Sequence, residues 1–195
     1  MAWSPDYCTS AELKAYRHIE DAVDDAQIGL VITAASRAVD RFCDRQFGSA
    51  VQTRRYTPRW DKSLCRWAID VDDVMTVVGL EVDYDSAGDG TYSTAVTDFE
   101  LYPQNAAADG RPWSKVVVKS GAGSQRVEVT ATFGWTAVPT PVKTATLLQA
   151  SRFLVRRDAP LGIAGSDDSQ IRLLDRVDPD VAAILRPYRK VWGAA

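Results

Sequence analysis

Apolar side chains recur with a helical period at both ends of the chain and with a strand period in between. Residues 25–47 carry the clearest helical stripe. Ile28, Val31, Ile32, Ala35, Ala38, Val39, Phe42 and Cys43 share one face, and Thr33, Arg37, Asp40, Arg41 and Asp44 share the other. Upstream, Thr9 and Glu12 stand at capping-box spacing and predict a helix of about three turns, with Leu13, Tyr16, Ile19 and Val23 on its buried side. Asp24 repeats the start signal, and Gly48 suits the left-handed residue that stops the second helix. A third helix opens with Thr140 as N-cap and Pro141 at the first helical position, where no amide hydrogen is needed. Leu147, Leu148, Ala150, Ser151, Leu154 and Val155 fall on one arc of it; Gln149, Arg152, Arg156 and Arg157 fall opposite, with Phe153 among them. Asp178 and Pro179 open a last segment with Val181, Ile184, Leu185 and Tyr188 on one side, which Pro187 breaks within two turns.

After Gly48 the period falls to two. Val78, Leu80, Val82 and Tyr84 alternate with polar positions, residues 85–90 make a turn, and residues 91–96 return as a partner strand. Residues 99–102 form a further strand. Residues 115–119 and 126–133 read as a second hairpin closed by residues 120–124, with Val127, Val129, Ala131 and Phe133 pointing one way. About six strands are expected over 51–136, with Trp60, Trp67, Trp113 and Trp135 filling or edging their core. Residues 158–169 are small and polar and read as a loop. The pattern predicts an α+β fold: a helical bundle built from N-terminal helices (1–50) and C-terminal helices (137–195), with an all-β subdomain (51–136) inserted between them.

Composition narrows the function classes. The chain has 195 residues and a formal charge of −3, which gives no case for wholesale nucleic-acid binding. Charge is uneven, however: residues 139–195 carry 9 basic and 6 acidic side chains, enough to meet an acidic surface. Cys8, Cys43 and Cys65 are widely spaced and odd in number, so neither a disulfide framework nor a zinc site is expected, and a reducing, cytosolic setting fits. No run has the length of a membrane span, and no signal-peptide pattern opens the chain.

Candidate chemistry is sparse. His18 is the only histidine, falls on the polar side of the first helix, and has no nucleophile motif beside it. Asp70, Asp72 and Asp73 cluster, as do Asp83, Asp85 and Asp89; the second group lacks the glutamate of a calcium loop, since Thr94 stands at the twelfth position. Turn chemistry explains it more cheaply. Gly121 and Gly123 are followed by a strand instead of the helix a phosphate cradle needs. Arg54, Arg55, Tyr56, Arg59, Trp60, Lys62, Arg66 and Trp67 interleave cations with aromatics, which suits nucleic-acid stacking, but a strand with a solvated basic side is the preferred reading. Arg152, Phe153, Arg156 and Arg157 group together in a way common at protein interfaces; equally, Phe153 could pack under a loop of its own chain. No catalytic residue, metal ligand or cofactor is assigned, and the chain is expected not to be an enzyme.

The order of these elements resembles the head-to-tail connector (adaptor) proteins of tailed bacteriophages. The residues that carry it are the helix end Ala38-Val-Asp-Arg-Phe-Cys-Asp-Arg-Gln-Phe-Gly48, the stretch from Val138-Pro-Thr-Pro141 to Arg157, and Asp178-Pro-Asp-Val-Ala-Ala-Ile-Leu-Arg-Pro-Tyr-Arg189, roughly half the chain. The resemblance implies a virion protein, assembled in the host cytoplasm, whose copies form a homo-oligomeric ring, commonly twelve-fold, beneath the portal protein. The ring links the DNA-filled head to the head-closure (stopper) protein and tail. Genomic DNA would pass through its channel without sequence-specific binding, and no membrane is involved. By that analogy Leu185, Arg186, Tyr188, Arg189, Lys190, Val191 and Trp192 are candidates for reaching the portal, and Arg152, Phe153, Arg156 and Arg157 for the subunit interface. The alternatives are a head-closure or tail-terminator protein, or a non-viral ligand-binding β module on a helical stem.

Overall fold

From residue 49 the alternation of apolar and polar side chains produces eight strands: β1 (Ser49–Tyr56), β2 (Arg59–Asp61), β3 (Arg66–Val74), β4 (Glu81–Tyr84), β5 (Thr94–Ala95), β6 (Phe99–Tyr102), β7 (Trp113–Val118) and β8 (Val127–Gly134). The computed structural model describes residues 4–20, 24–158, 163–164, 171–172 and 178–190. These fall into two units, one of Gly48–Ala137 and one of Ser4–Phe47 with the described part of Val138–Ala195.

The expected helical bundle with an inserted all-β subdomain is not what forms. The protein is mixed but β-rich: its main element is an antiparallel sheet of eight strands curled into a half-barrel, and the described residues include four helices. Two of them, α1 (Ser10–Arg17) and α4 (Pro179–Leu185), have only 8 and 7 residues, while α2 (Asp25–Cys43) and α3 (Thr140–Asp158) have 19 each. Strong caps and amphipathic stripes gave the helices undue weight in the sequence. The aspartates of β3 interrupt its alternation, and the basic stretch expected as one strand divides into the end of β1, all of β2 and the start of β3.

The sheet order is β5-β4-β8-β3-β7-β6, with β1 on the free side of β8 and β2 on β3. The expected hairpin over 115–133 is also corrected, because β7 and β8 do not pair; β3 separates them. Two alternating strands joined by a turn make good neighbours, but burial of one face leaves the choice of neighbour open. In β8, Val127, Val129, Ala131 and Phe133 are all fully buried and form the centre of a core with Ile69, Val71, Val74, Val82, Val116 and Val118. Trp67 and Trp113 lean on that core, Trp135 is buried, and Trp60 stays 51% exposed.

β1 runs against all of β8, from Ser49 opposite Gly134 to Tyr56 opposite Val127. At the end of this ladder Gly134 has φ 101°, and the Trp135 amide donates to the Gly48 carbonyl at 2.9 Å. A Cβ on Gly134 would overlap that carbonyl oxygen. Gly48 therefore does not stop the second helix as expected; α2 ends earlier, at Cys43, with Asp44 in the left-handed conformation.

In the second unit, α1 carries the expected capping box: Glu12 N–H donates to Thr9 Oγ1 at 3.2 Å, and Thr9 N–H to Glu12 Oε2 at 2.9 Å. The Lys143 ammonium donates to Glu12 Oε1 at 2.5 Å, which ties α3 to this cap. α1 is shorter than expected, so Tyr16 lies exposed in its last turn and only Leu13 is fully buried; Val23 lies outside the described residues. In α3, Thr140 is the first helical residue and the Pro139 carbonyl accepts from Lys143 N–H. The buried side of α3 is Val142, Ala145, Thr146, Gln149, Ala150 and Leu154, so Gln149 faces inward against expectation. Asp178 caps α4 by accepting from Asp180 N–H at 2.8 Å, and Pro187 falls in the 3-10 turn Arg186–Tyr188 that ends it. The expected loop over 158–169 lies mostly outside the described residues; within it β9 (Ile163–Ala164) pairs antiparallel with β10 (Ile171–Arg172).

Two outcomes follow. Gly134→Ala combines a clash with backbone at a positive φ and should cost about 3 kcal/mol or more, read from urea unfolding. The Lys143 ammonium and the Thr9 amide hold the Glu12 carboxyl below the usual glutamate range. Its contribution is thus present at neutral pH and is lost as pH falls through that lowered value. Glu12→Gln should lower stability at neutral pH and flatten the acid limb of the urea midpoint against pH.

Candidate interaction surface

Residues 4–8 lie as a strap along the side of α2 that looks solvent-facing in the sequence. Ser4 Oγ donates to Gln46 Oε1 at 3.1 Å, Arg37 Nη2 to the Pro5 carbonyl at 2.6 Å, and Thr33 Oγ1 to Asp6 Oδ2 at 3.0 Å. Tyr7 N–H donates to Ser36 Oγ at 3.1 Å. The Tyr7 hydroxyl donates to Asp40 Oδ1 and accepts the Phe47 amide at 3.0 Å. Asp40 Oδ2 meets Arg37 Nε at 3.1 Å, and Asp40 is only 6% exposed. Burial pushes the Asp40 carboxyl above the usual carboxylate range, against the opposing pull of the Tyr7 hydroxyl and the Arg37 guanidinium. Burial, reinforced by the bond to Asp40, also pushes the Tyr7 hydroxyl up, so Tyr7 stays the donor.

None of these strap contacts was legible as a site. Thr33, Arg37 and Asp40 recur at helical spacing and read as a solvated stripe, and Ser36 is assigned to neither face. The available signal was that short hydroxyl and carboxyl side chains sit where long charged ones are usual, opposite the tyrosine and aspartate of a non-helical segment.

The C-terminal candidates divide into anchors and outward groups. Leu185 is fully buried and Tyr188 is half-buried, its ring edge-on to Phe47 at 6.0 Å; both anchor the segment. Lys190 N–H donates to the Cys43 carbonyl at 2.7 Å and so satisfies the end of α2. Arg186 and Arg189 are exposed, and the Arg189 guanidinium lies 5.5 Å from the centre of the Phe42 ring. Val191 and Trp192 lie outside the described residues.

At the other candidate surface, Phe153 packs against a core of its own unit that contains Leu13, Ile28, Ile32 and Leu154. Arg152 Nη1 meets Asp178 Oδ2 at 2.6 Å and so binds α3 to the cap of α4. Arg156 is half-buried, and the side chain of Arg157 lies outside the described residues. Arg152 and Phe153 are thus engaged within their own unit.

The cation–aromatic stretch divides among β1, β2 and β3, and its arginines on β1 are answered by carboxylates of neighbouring strands. Arg54 meets Asp72 and lies 4.6 Å from the centre of the Phe133 ring. Arg55 meets Glu128 at 2.8 Å, Lys115 meets Asp61 at 2.7 Å, and Lys119 meets Glu100 at 2.7 Å. Lys115, with help from Ser63, holds the Asp61 carboxyl well below the usual carboxylate range. Tyr56 is pushed up to about 12 by burial and by Asp72. Trp60 and Trp67 pair edge-to-face across β2 and β3 at 5.6 Å.

The aspartate clusters disperse. Asp70 is exposed, Asp72 serves Arg54 and Tyr56, and Asp73 accepts from Trp135 Nε1 at 2.9 Å. Asp85 is buried and accepts the amides of Gly88, Asp89 and Gly90, which builds the turn after β4. Among the described residues no group of three or more His, Cys, Asp or Glu side chains is placed to hold a metal ion. Gly121 and Gly123 take positive φ in a turn, and exposed His18 is the left-handed cap of α1.

Thiol accessibility tests this packing. Burial pushes the Cys8 thiol up to about 11 and the Cys43 thiol up to about 12, while Cys65 is exposed. An aromatic disulfide reagent at neutral pH should titrate one of the three thiols rapidly in the native protein and all three in denaturant. Loss of the fast reaction in Cys65→Ser assigns it. No protein-family model and no curated protein matches this chain.

Proposed function

We propose that the chain is a non-enzymatic assembly protein of the head-to-tail connector kind, an adaptor that forms a ring beneath a phage portal and joins the DNA-filled head to the stopper and tail. The observation that carries this reading is the segment 178–190. It is held at three points, by Asp178 on Arg152, Tyr188 on Phe47 and Lys190 on Cys43, and it presents Arg186 and Arg189 outward. A cationic element already ordered on its own chain loses little conformational freedom on docking, so more of its contact energy appears as affinity. An acidic portal surface is the complement such an element requires.

In this reading Leu185 and Tyr188 support the docking element, and Arg186 and Arg189 make the contact. Assembly is into a closed ring with heterologous contacts, probed by its match to the portal's twelve-fold symmetry. Its place is the virion, after assembly in the host cytoplasm, with genomic DNA passing through the channel without sequence readout.

Sedimentation of the chain with the purified portal protein of the same genome tests the reading. The wild type should co-sediment at a stoichiometry matching the portal ring. Arg186→Glu with Arg189→Glu should weaken binding about tenfold or more while the fold is retained. A wild-type chain that never joins its portal would overturn it.

A further inference from the structure

The strap of residues 4–8 and the segment Arg186–Tyr188 with Lys190 meet on one ring. Phe47 is fully buried, Tyr7 stands edge-on to it at 5.6 Å, and Tyr188 stands edge-on to it at 6.0 Å. The chain leaves α2 at the left-handed Asp44, so the Phe47 amide has no place in the helix ladder. The Tyr7 hydroxyl supplies its acceptor, at 3.0 Å, while donating to Asp40 one α-helical stretch earlier. One hydroxyl thus fixes both the end of α2 and the ring on which Tyr188 rests. The strap contacts at Thr33, Ser36 and Arg37 hold the strap to α2, and Ser4 adds a bond to Gln46, the residue before Phe47.

We propose that Tyr7 is a positioning residue for the C-terminal segment, and that strap and segment form one coupled unit: seating residues 4–8 fixes Phe47, and Phe47 holds residues 186–190 in place. Unseating the strap releases the segment that presents Arg186 and Arg189. The coupling is a property of the chain alone. The connector reading adds only that a partner engages the seated form, so occupancy of the strap would set the affinity for that partner.

Coupling between two sites is reciprocal, and it is commonly worth a factor of about 5 to 150. Amide hydrogen exchange on the full chain, with no partner present, measures it. In Tyr7→Phe the amides of Tyr188 and Lys190 should exchange about tenfold faster, while those of Ala150 and Leu154 in α3 stay within about twofold of wild type. In Tyr188→Ala the amides of Tyr7 and Phe47 should speed up by a similar factor. Ser36→Ala, which loosens the strap and leaves the Tyr7 hydroxyl intact, should move the same amides in the same direction by less, and it serves if Tyr7→Phe does not fold. Unchanged protection at Lys190 in the strap variants would overturn the proposal. So would equal acceleration throughout α3, which is the signature of general destabilisation. Because no portal is involved, failure here leaves the connector reading standing, and failure to bind portal leaves the coupling standing.

Discussion

The β unit depends on how closely two backbone strands can approach at one end of a ladder. β1 pairs with β8 along its whole length, and the pairing ends where Gly134, at positive φ, lies against the Gly48 carbonyl. That carbonyl then accepts the Trp135 amide, and the Trp135 indole reaches back to Asp73 on β3. Any side chain at 134 would force the strands apart. The register that puts Val127, Val129, Ala131 and Phe133 in the core would lose its fixed end. The points at which the chain enters and leaves the β unit are held together by this approach.

The other unit has its own polar keystone. A helix of 19 residues that ends in a left-handed turn leaves its last carbonyls, and the amides of the chain just after it, to be satisfied from elsewhere. Here the partners come from segments far away in sequence: the Tyr7 hydroxyl for the Phe47 amide, and the Lys190 amide for the Cys43 carbonyl. A buried amide without an acceptor costs about 1–3 kcal/mol, more than the net value of most single hydrogen bonds. The strap and the C-terminal segment therefore add order where α2 alone would fray. Asp40 is the cost of the arrangement, a carboxylate kept nearly dry and compensated by Tyr7 and Arg37.

Local chemistry was the legible part of this sequence. The Thr9–Glu12 capping box, the Asp178 cap before Pro179, the strand Phe99–Tyr102 and the inward set of β8 all follow from short-range rules, and the structure contains each of them. Longer-range features do not follow from short-range rules. The weight of the β sheet was hard to read because Asp70, Asp72 and Asp73 interrupt the apolar alternation of β3, and because the cation-rich stretch that runs from β1 through β2 into β3 reads as a single strand. The neighbours of β7 and β8 were misjudged because alternation specifies a face and leaves the partner open. The strap escaped because a helix face covered by polar contacts has the same pattern as one covered by water. At the candidate site, Arg186 and Arg189 are outward as their type suggests. Leu185 and Tyr188 became anchors, since an apolar residue beside a helix end is drawn to the nearest ring or core.

The account holds that a segment seated on α2 offers two arginines, Arg186 and Arg189, to an acidic partner. A cryo-EM reconstruction of the chain on the portal of the same genome tests this most directly. The account predicts density for Arg186 and Arg189 against portal carboxylates, with Tyr188 still resting on Phe47. A ring that meets the portal through the β unit, with both arginines facing solvent, would contradict it.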